Sequence, residues 1–140
     1  METIIKIADL LILGLIIATP IILLLTVEKI NMKRTFLVYF LIGLIVLGIL
    51  IFAFSWWCDK SYMILLRNYG YNIDGMNDIE IYGKVLPSNM EQVKRLETSI
   101  MGIGWPLKAI FDYVYAIPYL LFIYLGKMFI KRLANNKMKV

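Results

Sequence analysis

From Thr35 to Cys58 the chain runs without a single charged side chain. As a helix rising 1.5 Å per residue, that stretch is roughly 36 Å long, against a bilayer hydrocarbon core of about 30 Å. From Phe36 to Phe54 it is apolar almost all round. A buried helix in a soluble protein can look like this over about three turns but hardly over six. Leu10 to Val27 is also free of charge, and at roughly 27 Å it is long enough to span.

A third hydrophobic stretch, Leu107 to Ile130, is interrupted by Lys108, Asp112 and Lys127, leaving Tyr113 to Gly126 unbroken. Its ends argue for a full crossing. Trp105 and Pro106 make a fitting start, since proline is tolerated in a first helical turn. Lys127, Lys131 and Arg132 can snorkel toward headgroups at the far end. Composition agrees: 61% of residues are hydrophobic and 18% charged, too little polar surface to cover a soluble core. The expected fold is therefore an all-α membrane protein. It has three transmembrane helices, over about 4–27, 35–57 and 106–130, and a small, mainly helical extracytoplasmic loop subdomain over 58–105. Residues 28–34 and 131–140 form the cytoplasmic loop and tail.

The orientation comes from the distribution of charge. The first connection carries Lys29, Lys33 and Arg34 against Glu28, and the tail carries Lys127, Lys131, Arg132, Lys137 and Lys139 with no acid. The long second connection balances Lys60, Arg67, Lys84, Lys94 and Arg95 against Asp59, Asp74, Asp78, Glu80, Glu91 and Glu97. The two basic segments are expected in the cytoplasm and the N-terminus outside, as in a bacterial inner membrane. Trp56, Trp57 and Trp105 then all fall at the outer headgroup level, where an indole ring is half apolar and half wet. A cleaved leader would need a cationic start and a small-residue cleavage site. Met1 to Asp9 has one lysine and two acids, and Ala18-Thr19-Pro20 is a poor site, so an uncleaved anchor is expected.

In the outer segment, Asp59 to Tyr69 reads as helix running on from the second span, with Gly70 as a stop. The Ile79-Glu80-Ile81 alternation suggests a small hairpin or loop. Ser88-Asn89-Met90-Glu91 has capping-box spacing ahead of an amphipathic helix reaching about Met101. That helix puts Met90, Val93, Leu96, Glu97 and Ile100 near one stripe, expected to pack within the protein. Tyr69, Tyr71, Ile79, Ile81 and Tyr82 are the candidate partner-binding residues, because aromatic and aliphatic side chains dominate binding energy.

Inside the spans, Lys6 and Asp9 lie three apart and Lys108 and Asp112 four apart, so each pair can meet on its helix face. Ionisable residues within a membrane are costly and functional candidates by default. A proton or ion relay needs groups at several depths, and the inner halves of the spans carry none. A polar clasp between the first and third spans is the expectation. Gly14 and Ala18 form a small-xxx-small pair that points weakly to a helix-packing face.

Catalytic chemistry has little to draw on. The chain has no histidine and one cysteine, Cys58, so the commonest general base and metal ligand are missing and no internal disulfide can form. Gly102-x-Gly104 follows no strand and reads as a hinge rather than a nucleotide loop. The acids and asparagines over 72–80 fail the calcium-loop spacing. No catalytic, cofactor-binding or metal residue is assigned, and no cofactor or nucleic acid is expected.

In size, span count and lack of catalytic residues the chain resembles small polytopic immunity proteins that protect bacteria from membrane-targeted toxins. The resemblance implies a non-enzymatic protein that binds a toxin or another membrane protein, with no turnover and with a homo-oligomer open. The alternative is an accessory subunit of a larger membrane complex; a transporter or enzyme trails behind both.

Overall fold

Three long helices carry most of the chain: α1 (Glu2–Lys29), α2 (Thr35–Asn68) and α5 (Trp105–Lys137). Each is long and apolar enough to cross a membrane. The computed structural model describes residues 1–29 and 34–137, with side chains as far as 134. The expected cytoplasmic charges at Lys33, Lys137 and Lys139 lie outside what is described. Among the described residues there is no strand. Two short elements, α3 (Asp78–Tyr82) and α4 (Met90–Met101), complete the architecture, with a single 3₁₀ turn at Pro87–Asn89.

The helices alternate in direction, and α2 is the central one. It packs along both α1 and α5, while those two touch each other far less. The shared core holds Leu24, Tyr39, Leu47, Ile51, Ala116 and Leu120. Large apolar side chains on the outward faces of α1 and α5 stay exposed, as Leu10 at 70% and Phe122 at 72%. In lipid this costs nothing, because association there rests on close van der Waals packing rather than on removing apolar surface from water. Gly43 shows that closeness: a Cβ there would sit 2.8 Å from the Leu120 side chain. The Gly14–Ala18 face makes no such contact, since a Cβ on Gly14 meets nothing within 4 Å. The glycines that seat a helix are thus on α2, Gly43 against Leu120 and Gly48 against Tyr113, where the central helix has neighbours on two sides.

Four hydroxyls within the spans are satisfied locally or across the bundle. Thr19 and Thr26 donate to the carbonyls of Leu15 and Ile22, one turn back. Tyr39 donates to Leu120 O at 3.2 Å from a fully buried position. Tyr119 donates to Ile17 O at 2.8 Å, three residues before Pro20, where the ring disturbs the helical ladder. At the basic end of the bundle, Lys127 pairs with Glu28, joining α5 to α1.

At 34 residues α2 is about 51 Å long, so it runs about 20 Å past the hydrocarbon thickness. Its continuation beyond the second span ends where expected. Gly70 adopts φ 86°, Gly70 N–H donates to Arg67 O, and Tyr71 N–H donates to Leu66 O, the paired bonds of a Schellman stop. A side chain at Gly70 would also collide with the Lys84 carbonyl.

Two local expectations fail for identifiable reasons. Ile79-Glu80-Ile81 is helical, not a hairpin arm. The Asn77 side chain accepts from Glu80 N at 2.9 Å, while the Glu80 carboxylate accepts from Met76 N at 3.1 Å and from Asn77 Nδ2 at 3.0 Å. That reciprocal cap outweighs a three-residue alternation. The Ser88–Glu91 capping box does not form. Pro87 starts the 3₁₀ turn one residue earlier, which draws Ser88 into the turn and leaves Asn89 as the cap without a side-chain bond. Glu91 instead pairs with Arg95 at 2.7 Å.

Candidate functional site

Lys6, Asp9, Lys108 and Asp112 gather where α1 begins, α2 continues past the bundle and α5 starts. Helix α4 folds back over this end. Its inward stripe of Met90, Val93, Leu96 and Ile100 closes a second apolar cluster with Leu66, Tyr71 and Val85. Val93 is completely buried. The stripe thus packs within the protein.

Glu97 lies on that stripe and has two partners. Tyr71 donates to its Oε1 at 2.8 Å and Tyr82 to its Oε2 at 2.6 Å, with the two rings edge-to-face at 5.6 Å. Burial, then the bond to Glu97, pushes the Tyr71 phenol up to about 12. For Tyr82 the bond to Glu97 comes first and burial second, and its phenol also rises to about 12. Tyr69 is engaged elsewhere, donating to Glu2 Oε2 at 2.7 Å and so tying the start of α1 to the end of α2. Gln92 of α4 donates to the other Glu2 oxygen at 3.0 Å.

These bonds change the set of surface candidates. Tyr71 is only 5% exposed, and the half-buried Tyr69, Ile81 and Tyr82 pack against the same cluster, so these four make contacts within the fold. Ile79 alone of the five is open, at 85%. Met76 at 95% and Leu86 at 62% join it, and neither was legible as a surface residue. Met76 occupies the position before the Asn77 cap, where an apolar side chain ordinarily staples onto the fourth residue of the helix, here Ile81. Here it points away, so the usual signal reads in the wrong direction.

The four ionisable residues of the expected clasp share this end of the bundle but do not pair with one another. Lys6 pairs with Glu2 at 2.6 Å along its own helix. Asp9 Oδ1 accepts from the indole Nε1 of Trp57 at 2.9 Å. Lys108 Nζ donates to the Ser99 carbonyl, holding α5 to the end of α4. Asp112 is exposed and makes no hydrogen bond or ion pair among the described residues. The link from α1 at this level therefore runs to α2, through Asp9 and Trp57, rather than to α5. Charge counting favours opposite ions, but the central helix lies nearer and supplies a donor.

Two hollows flank Asp112. One, of about 280 Å³, has a mixed lining that brings Asp59 and Lys108 together with Cys58, Tyr62, Ser99 and Trp105. The other, of about 450 Å³, is an apolar cleft between α1 and α5 floored by α2. Phe54 and Asp112 line both. Among the described residues no group of three or more His, Cys, Asp or Glu side chains is placed to hold a metal ion. Compared with known protein families, curated proteins and solved structures, the chain shows no match.

Proposed function

We propose that the chain is a non-enzymatic, multi-pass membrane protein that captures a protein partner through the segment between α2 and α4. It acts as an immunity or regulatory protein against a membrane-acting toxin. In this reading the segment 58–105 is extracytoplasmic, the N-terminus is outside and the C-terminus is in the cytoplasm of a bacterial cell.

The observation that carries the reading is the exposure of Ile73, Met76, Ile79 and Leu86, outside the three long helices. Large apolar side chains facing water in one short stretch mark interaction surfaces. They are held on an ordered support, because the Asn77 cap fixes α3 and the Tyr71–Glu97–Tyr82 bonds fix what lies beneath it. Order in the free protein lowers the cost of binding. A membrane crossing serves such a protein by holding this surface at the bilayer where its partner acts.

The test is co-purification from native membranes, with Met76→Ser and Ile79→Ser compared with the parent chain at matched level. Loss of a partner from the double variant, with membrane insertion unchanged, supports the reading. Undiminished capture would overturn it. Recovery of a stable multi-subunit assembly that survives both substitutions would assign the chain as an accessory subunit instead.

A further inference from the structure

The apolar cleft and the hollow with the charged lining share Phe54 and Asp112 as wall residues, so the two together offer an amphipathic groove. The cleft walls run from Asp112 to Tyr119 on α5 and from Leu13 to Ile17 on α1. On α5 that is about 10 Å of depth. The inner end is bridged, because Tyr119 donates to Ile17 O at 2.8 Å and joins the two walls. Farther along, Lys127 and Glu28 join the same helices again. A membrane-spanning partner helix needs a track down the whole bundle, and these bridges cut the track off midway. A flexible apolar chain entering from the tryptophan-bearing side needs only the open half.

The charged residues of the smaller hollow specify the head. Asp59 and Asp112 both face the hollow, and neither makes a hydrogen bond or ion pair among the described residues. Lys108 is the cation there, and it already donates to Ser99 O. The hollow thus offers unused carboxylate acceptors and one partly used ammonium. An unpaired carboxylate within a span is costly, and an ammonium is the group that relieves it. A head with negative charge alone would meet two carboxylates before it met a free cation.

From this geometry we propose that the groove is a binding site for a phospholipid with a primary-amine headgroup, phosphatidylethanolamine in chemical class. One acyl chain lies in the cleft, the phosphate lies at Lys108, and the ammonium is drawn to Asp59 and Asp112. The site is independent of the partner-binding surface and stands or falls without it.

The experiment uses the full chain in detergent, with phosphatidylethanolamine and phosphatidylglycerol of identical acyl chains competing for it, and bound lipid counted by native mass spectrometry. The amine lipid is expected to be retained one per chain and in preference to phosphatidylglycerol. Asp59→Asn with Asp112→Asn should reduce that preference by about tenfold, the scale of a lost charge-assisted contact. Leu13→Trp, on a wall residue that is 44% exposed and outside the packed core, should fill the cleft and abolish retention. On the parent chain, phosphatidylethanolamine with a photoreactive acyl chain should crosslink within 13–17 and 112–119. Equal retention of the two lipids would overturn the proposal. So would crosslinks spread evenly over the exposed faces of α1 and α5, or a partner protein crosslinked through the cleft in place of lipid.

Discussion

Trp57 donates its indole N–H to the carboxylate of Asp9 at 2.9 Å, across the seam between α2 and α1. The bond satisfies two groups that the interfacial end of a membrane helix holds only at a cost: an indole donor and an ionised acid. Trp57→Phe should therefore cost about 1–3 kcal/mol, since the acid keeps its place and loses its donor. Thermal unfolding in detergent reads the loss directly. Combining it with Asp9→Leu should recover most of that stability, because removing both polar partners is close to neutral. A double variant that loses the full sum of the singles would show that the two side chains do not act on each other.

The Tyr71–Glu97–Tyr82 arrangement predicts an alkaline weak point. Both phenols are raised to about 12 in the folded chain, against about 10 for a free tyrosine. The folded state thus favours the neutral phenols. The stability they contribute is fully present below about pH 10 and is lost as pH rises through about 12. Glu97→Gln should separate the two. Tyr82, held chiefly by the bond to Glu97, should titrate much nearer its free value, while Tyr71, held chiefly by burial, should move less. Tyrosinate absorbance, compared with that of Tyr71→Phe and Tyr82→Phe variants, follows each phenol. Equal downward shifts for both would mean that burial does not set Tyr71 apart.

The long apolar runs were legible because a membrane helix announces itself by length and by absence of charge, and neither depends on tertiary context. The stop at Gly70 was legible for a related reason: a positive φ is a local demand that glycine meets. What failed was pairing. Lys108 and Asp112 invite each other at a spacing of four, yet the Lys108 ammonium finds a carbonyl of α4, which no periodicity brings to mind. Tyr71 and Tyr82 looked like surface residues because tyrosine is at home there. Tyr71 is buried and Tyr82 half-buried because Glu97, on α4, accepts a hydrogen bond from each. In the same way Ser88 lost its cap to a proline one residue earlier, a competition between two local signals that the spacing rule alone does not rank.

Orientation is open to a direct labelling test. The structure puts Trp57 and Trp105 at one end of the bundle, and Glu28, Lys127 and Lys131 around a hollow at the other. With Cys58 replaced by serine, a cysteine at Asp74 should react with an impermeant thiol reagent in intact cells. One at Lys131 should react only after the membrane is opened. The charge asymmetry of the ends is the basis for this order. The opposite order of labelling would invert the proposed topology and move the Met76 and Ile79 surface to the cytoplasm.

The contrast between Gly43 and Gly14 gives the sharpest test of how the helices pack. Both are helical glycines in apolar surroundings, and by sequence Gly14, with Ala18 one turn on, had the better claim to a packing face. The structure reverses that ranking. A methyl on Gly43 meets the Leu120 side chain at 2.8 and 3.3 Å and Leu23 at 3.6 Å, whereas one on Gly14 meets nothing within 4 Å. Leu120 is itself completely buried, so it has no free direction in which to yield. Gly43→Leu should therefore push α5 off α2 and cost about 1–3 kcal/mol or more, as overpacking of a close seam does. Gly14→Leu should stay within about 0.5 kcal/mol of the parent, as for a site away from any packed contact. Thermal unfolding of the two variants in the same detergent decides the matter. A tolerant Gly43 would mean that the α2–α5 seam is looser than its geometry indicates. A Gly14 variant that is equally unstable would show that α1 packs against a neighbour through that face, and a second copy of the chain would be the first candidate to seek.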